Sequence, residues 1–303
     1  MSLEAELIRV AARLFIRPGN HPDASVAVQH ERMRAYERWV PRPPKGTETV
    51  DKPLGAIPAS RVTRPGAWPG RTILFLHGGG YVTGSPALYR HITWRFAQAA
   101  RARLIAIDYR LAPAYPFPAA INDAAAAWRA LLAEGIQARN TAILGDSAGG
   151  GLALALALRL RDEGVALPAA IAALSPWTDL AMTGPSSQSG SADPMLKESD
   201  LHAFAAQYVN GSDPRAPYVS PLYGDPRGLP PTLLQVGSDE ILRDDSERMA
   251  ERMRAAGCDV TLEVWPRMPH VWHAFAPMMP EALRAIARVG AFIEQKTAAR
   301  QIN

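Results

Sequence analysis

A chain of 303 residues with 48% apolar content is long enough to bury one large core or two smaller ones. Its formal charge is only +4, and its 33 basic residues, nearly all arginine, are scattered without a cluster, so no nucleic-acid partner is expected. The single cysteine, Cys258, excludes an intrachain disulfide, no apolar run is long enough to cross a bilayer, and the N-terminus with Glu4 and Glu6 lacks the apolar core of a secretory leader. The expectation is therefore a cytoplasmic protein with no membrane partner.

In chain order, residues 1–55 carry Leu3, Leu7, Val10 and Leu14, then Met33, Tyr36 and Val40, at helical spacing. They predict amphipathic helices before a proline-rich loop, Pro41 to Pro53. A strand is expected at 71–76, ending in His77-Gly78-Gly79-Gly80-Tyr81. Such a loop leaves consecutive backbone N–H groups free to face a ligand oxygen, since glycine accepts the positive φ angles this requires. It opens neither a Walker-type Gly-Lys-Ser/Thr loop nor a dinucleotide fingerprint, which leaves an oxyanion site or a plain flexible turn. A helix at about 87–100 and a strand at 103–107 lead to Asp108-Tyr109-Arg110-Leu111-Ala112-Pro113, a proline-rich loop before a helix at 119–133.

The most informative segment follows. A short apolar strand at 141–145 enters Gly145-Asp146-Ser147-Ala148-Gly149-Gly150, and a helix at 148–162 leaves it, stopped by Gly164. Strand, G-x-S-x-G and helix in this order form a nucleophile elbow, with glycines two residues either side because side chains there would collide. Ser147 is the candidate nucleophile, and Gly79, Gly80 and Ala148 are the candidate oxyanion donors, a class of interaction that contributes about 3–4 kcal/mol per donor to transition-state binding. A strand at 170–174 precedes Ser175-Pro176-Trp177-Thr178-Asp179, and residues 182–222 form a polar, proline-containing insertion with one helical stretch, Ser199 to Val209.

A serine hydroxyl needs a base, and the base needs a buried carboxylate to fix its tautomer. Where such an elbow operates, the partners follow in the order Ser, acid, His. After the strand expected at 231–236 come Ser238-Asp239-Glu240, and Asp239, the first acid, is the expected orienting residue with Glu240 as its competitor. Asp244 and Asp245 read as the opening of a helix at about 244–256. The alternating strand 260–265 then leads to Pro266-Arg267-Met268-Pro269-His270, where His270 is the expected base and His273 its competitor. A helix at 281–296 closes the chain. The imidazole sets the pH dependence, with an acid limb near ~6.5 if unperturbed. His77 belongs to the glycine loop, while His21, His30, His91 and His202 have no motif around them. No H-E-x-x-H or other metal spacing occurs, and no metal or cofactor is expected.

Strands alternating with helices predict an α/β fold, a mostly parallel sheet with helices on both faces. The strand at 260–265, late and exposed, is a candidate edge for pairing with a second copy as a homodimer.

His77-Gly78-Gly79-Gly80-Tyr81, Asp108 to Pro113, Gly145 to Gly150, Ser175 to Asp179, Asp239 and Met268-Pro269-His270 together resemble the hormone-sensitive-lipase-like branch of α/β-hydrolases, the bacterial family IV esterases. The resemblance spans roughly residues 70 to 295, and Asp146 places it in the GDSAG subgroup. It implies the α/β-hydrolase fold, residues 56–303 as catalytic domain, and a helical cap made of residues 1–55 and the insertion at about 182–222. The alternative for these two pieces is an N-terminal arm used in oligomer contacts plus a surface insertion. The resemblance also implies hydrolysis of short- to medium-chain carboxylic esters, a small-molecule substrate, by Ser147, His270 and Asp239, with Tyr81, Asp146 and Trp177 as candidate substrate contacts. Lactone hydrolysis and deacetylation of small metabolites use the same chemistry. A ligand-binding protein on a hydrolase scaffold is the rival from another class. The chain departs from the family at Ala114-Tyr115, where Glu-His is usual.

Overall fold

The computed structural model describes residues 1–17, 31, 35–188 and 193–297, so Met33, His21 and His30 lie outside the described residues. Eight strands among them form one sheet: β1 Glu48–Asp51, β2 Ala59–Thr63, β3 Thr72–Leu76, β4 Arg103–Ile107, β5 Thr141–Asp146, β6 Ala170–Leu174, β7 Thr232–Gly237 and β8 Val260–Trp265, in the order β1-β2-β4-β3-β5-β6-β7-β8. The pairs β1/β2 and β2/β4 are antiparallel, and the rest are parallel. The six parallel strands lie within two residues of their expected positions. Glu48–Asp51 corrects the expectation of helix and loop throughout residues 1–55: it pairs with β2 as the polar, fully exposed edge of the sheet. β8 is the other edge.

Alternation along each strand builds two cores. Leu74, Leu76, Ile105, Ile107, Ile143 and Ile171 face one side, where they meet α3 (Ala119–Ala133), α4 (Ala148–Asp162) and α7 (Arg243–Ala255). Ile73, Phe75, Leu104, Ala142 and Leu144 face the other, against α2 (Pro86–Ala99) and α8 (Pro280–Lys296), with Ala5 of α1 (Leu3–Ala11) at its margin. Each such aliphatic side chain contributes about 1.5–3 kcal/mol by leaving water. None of the helices of the described residues is long and apolar enough to cross a membrane.

Register decides where chemistry is possible. Leu76 lies opposite Gly145, Asp146 opposite Leu174, and Gly237 opposite Trp265, so the residues following β3, β5, β6, β7 and β8 converge at one edge of the sheet. This is the carboxyl edge at which open α/β sheets place ligands. Between β6 and β7 the chain leaves the sheet for the short helix α5 (Pro185–Gln188) and for α6 (Glu198–Val209). Two carboxylates root that excursion. Asp245 accepts the backbone N–H groups of Thr178 and Asp179 at 2.7 and 2.8 Å, and Asp179 binds Arg248, Thr183 and Tyr223 at 2.8, 2.6 and 2.9 Å. Asp245 thus does more than open α7.

A glycine where α8 meets α2 sets a test. A Cβ on Gly290 of α8 would stand 2.4 Å from the carbonyl carbon and oxygen of Ala99 in α2. Alanine is favoured over glycine within a helix by about 1 kcal/mol, but forcing two packed backbones apart costs about 1–3 kcal/mol. Gly290→Ala is therefore expected to lower the urea midpoint at unchanged m-value, and a raised midpoint would show that the helices separate freely.

Candidate active site

Ser147 stands between β5 and α4 at φ 53° and ψ −122°, off the helical path. Its N–H donates to the Leu174 carbonyl at 2.8 Å, and its carbonyl accepts from Gly151 at 3.0 Å and Trp177 at 2.9 Å. The flanking glycines are steric necessities. A Cβ on Gly145 would meet the Gly149 carbonyl oxygen at 2.2 Å, and one on Gly149 would meet the Leu76 carbonyl oxygen at 2.0 Å. The result is a buried serine, 7% exposed, whose hydroxyl projects from the apex of a rigid turn.

The glycine loop is bound to the elbow by Asp146. Its Oδ1 accepts from the Gly78 N–H at 3.0 Å and its Oδ2 from the Tyr89 hydroxyl at 2.8 Å, while burial lifts this carboxyl to about 6. Gly79 and Gly80 take φ of 112° and 63°, which suits glycine, and their N–H groups and that of Ala148 bond to no other described residue. His77 holds the loop from below. It stacks on Tyr109 at 4.3 Å, its Nδ1 lies 2.8 Å from the Gly78 carbonyl oxygen, and burial pushes the imidazole down to about 4.

His270 is brought to the serine, its Nε2 lying 2.9 Å from Ser147 Oγ. The acid is a correction. Glu240, not Asp239, reaches the imidazole, with Oε2 2.9 Å from His270 Nδ1. A turn bonded from the Glu240 N–H to the Gly237 carbonyl folds the longer side chain back under β7, where Oε1 accepts from the Gly237 N–H at 2.6 Å and the Ser175 hydroxyl at 2.7 Å. Asp239 points outward, pairing with Arg9 of α1 at 2.8 Å and taking the Ser238 hydroxyl at 2.8 Å. The only hint in the sequence is the adjacency of the two acids; which one turns inward depends on the loop and on Arg9, far away in the chain.

Burial pushes the Glu240 carboxyl up against the opposing pull of His270. Burial alone would lower His270, but the hydrogen bond and charge of Glu240, with Asp193 and Asp146 beyond it, hold the imidazole above its ordinary value of 6.5. Asp193, in the insertion, reaches the acid loop directly, accepting the Ile241 N–H at 3.0 Å. The competing His273 is elsewhere: its Nε2 lies 2.8 Å from Gln235 Oε1, and burial drives it down to about 3.

Two of the expected substrate contacts have other places. Asp146 lies beneath the glycine loop, and Trp177 is fully buried, its indole N–H donating to the Asp179 carbonyl at 3.2 Å. Tyr81 is also buried, stacked on Tyr208 of α6 at 3.8 Å. The side chain that does overhang the loop is Phe204, whose Cδ2 is 2.6 Å from where a Gly80 Cβ would stand. Periodicity places Phe204 on a helix but gives no sign that this helix crosses the glycines. No group of three or more His, Cys, Asp or Glu among the described residues is placed to hold a metal ion. Hydroxyl, imidazole and buried carboxylate in line can move a proton off the serine, with N–H donors beside it for developing negative charge.

Residues 73–274 match a family described as the α/β hydrolase fold. The chain is 47% identical over 297 residues to an acetyl-hydrolase of Streptomyces hygroscopicus, covering 98% of each protein. It is 34% identical over 233 residues to an ethyl acetate hydrolase of Pseudomonas putida, covering 75% of this chain and 73% of that one. Among solved structures, an esterase soaked with p-nitrophenyl butyrate superposes with a TM-score of 0.93 at 39% identity, covering 99% of this chain and 100% of that one. An esterase from the bacterial hormone-sensitive lipase family gives 0.92 at 40% identity, covering 98% and 99%.

The two adjacent acids are separable by experiment. Glu240→Gln is expected to slow covalent labelling of Ser147 by a fluorophosphonate by about 10²–10⁴-fold, the loss typical when the base's partner is removed. Asp239→Asn is expected to change it by less than about threefold, since the partner it loses is a partly exposed ion pair. Mass spectrometry of the labelled peptide reads both, and the reverse ranking would restore Asp239 as the acid.

Proposed function

The chain belongs to the α/β-hydrolase fold family, in its hormone-sensitive-lipase-like esterase branch, and from that membership we propose that it cleaves short- to medium-chain carboxylic esters through Ser147, His270 and Glu240. The observation that carries the reading is the unbroken chain of two 2.9 Å contacts from Ser147 Oγ through the imidazole to Glu240. His270 Nε2 takes the serine proton as Oγ attacks the ester carbonyl. The oxyanion rests on the N–H groups of Gly79, Gly80 and Ala148, and the alcohol leaves with the proton from His270. Water then gives a proton to the same nitrogen as its oxygen attacks the acyl carbon, and the acyl–Oγ bond breaks with that proton returning to Ser147 as the acid is released. Glu240 holds the proton on Nδ1 throughout and stabilises the imidazolium.

Support for a short acyl group comes from α6. Phe204 covers the glycine loop, and the stacked Tyr81 and Tyr208 fill the space behind it. The relatives named for acetyl groups and ethyl acetate are in line with that restriction. Lactones present the same carbonyl and are the substrates to set beside esters.

The decisive assay is hydrolysis of p-nitrophenyl esters from acetate to palmitate, with a γ- and an ε-lactone alongside. Short esters are expected to be turned over fastest, with turnover abolished in Ser147→Ala. Esters left untouched by wild type would favour a binding protein, and lactones preferred would move the reading to lactonase. Since Nε2 accepts the proton only when neutral, and Glu240 raises its affinity for a proton, kcat/KM falls as pH drops, with a midpoint above 6.5. Glu240→Gln removes the raising charge, so its residual activity is expected to titrate at lower pH. A limb that stays put would show that another group is being read.

Phe204→Ala provides a second check. It is expected to improve the ratio of octanoate to acetate ester hydrolysis by about tenfold, roughly the discrimination that one or two methylenes give in an apolar pocket. An unchanged ratio would place the length limit elsewhere.

A further inference from the structure

Ser175 follows β6 at a place where five strand ends converge, and it is fully buried. Its hydroxyl donates to Glu240 Oε1 at 2.7 Å, leaving Oε2 for the imidazole. The Ser175 hydroxyl oxygen in turn accepts the N–H of Val271, the residue after His270, at 3.2 Å. One atom therefore touches the acid and the loop of the base together. The preceding residue completes the set, because the Leu174 carbonyl takes the Ser147 N–H at 2.8 Å. The backbone of Ser175 has φ 45°, a left-handed conformation in which glycine is less strained than serine. What serine brings there and glycine lacks is the hydroxyl.

On the proposed esterase mechanism, we infer that Ser175 is a positioning residue that fixes the carboxylate of Glu240 against His270. The need arises from side-chain length. A glutamate has one more rotatable bond than an aspartate, so its carboxylate is held in one orientation only if both oxygens are bonded. Oε1 has two donors, the Gly237 N–H and the Ser175 hydroxyl. Without the hydroxyl, Oε1 keeps only the Gly237 N–H, and the carboxylate is held less firmly against the imidazole. The Val271 N–H loses its acceptor in the same step, which loosens the base. The effect falls on the reacting geometry and leaves the substrate pocket alone, so kcat changes and KM does not.

Ser175→Gly removes the hydroxyl and relieves the backbone, and Ser175→Ala removes it without relief. Both are measured on p-nitrophenyl butyrate for kcat and KM, on the labelling rate of Ser147 by a fluorophosphonate, and on thermal midpoint. The expected result is kcat and labelling lowered about 10–100-fold with KM within twofold, in a Ser175→Gly protein that melts within a few degrees of wild type. In the Glu240→Gln background, Ser175→Gly is expected to cost less than twofold more, because the group it positions is already disabled. Ser175→Gly with kcat within threefold of wild type overturns the inference, and so does a full further loss in the Glu240→Gln background. Failure of the esterase reading looks different: wild type then neither hydrolyses the ester nor takes the label at Ser147.

Discussion

Ser147 holds a backbone conformation that costs a non-glycine residue about 1–3 kcal/mol, and the chain around it allows no relaxation. Its N–H is bound to β6 and its carbonyl to both Gly151 and Trp177. The glycines at 145 and 149 let two backbones approach to distances that a Cβ would forbid. The strain is thus carried by the sheet itself: to release the serine, β5 and β6 would have to part. Such a turn does what a hydroxyl on a regular helix or strand cannot. It presents Oγ to the imidazole while the first N–H of α4 faces the same space.

Buried carboxylates do the remaining work of assembly. Asp146, Glu240 and Asp245 are fully enclosed, and burial lifts all three. A carboxylate taken out of water is tolerated only when donors replace the lost solvent, and here the donors are loop N–H groups. Asp146 gathers the glycine loop, Glu240 gathers Gly237 and Ser175, and Asp245 gathers Thr178 and Asp179. Each acid joins the ends of different strands. The loops at the carboxyl edge are ordered by these few atoms more than by their own propensities, which, rich in glycine and proline, are low.

That division explains what was legible beforehand. β3, β5, β6 and β7 are wholly buried runs bounded by turn residues, β4 is buried after Arg103, and β8 mixes half-buried with exposed residues of high strand propensity, so β3 to β8 and the helices between them could be read nearly to the residue. β1 could not, since its four exposed residues, Glu-Thr-Val-Asp, carry no alternation and gain their strand character only from pairing with β2. Ser147 and the glycine loop were legible because close backbone approach restricts residue type. The acid was not. Asp239 and Glu240 are equally suited to end a strand, and the choice between them is made by contacts more than 25 residues away, His270 on one side and Arg9 on the other. Asp146 and Trp177 are related cases: a motif position indicates proximity to the site but not the direction of the side chain.

The outer contacts of Asp239 belong to the same design as the inner ones of Glu240. Arg9 of α1 binds both the Asp239 carboxylate and the Arg267 carbonyl, and Glu6 pairs with Arg267 at 3.1 Å. Partly exposed pairs of this kind are worth about 0–1 kcal/mol each, too little to fold the loops but enough to bias loops already ordered from within. Arg9 therefore bridges, from the solvent side, the same two loops that the Ser175 hydroxyl bridges from the core. Adjacent residues on the acid loop serve opposite faces of it, and the alternation that points Glu240 inward necessarily leaves Asp239 facing α1. The first acid in the sequence is kept from the imidazole by the same geometry that makes it useful to the N-terminal helix.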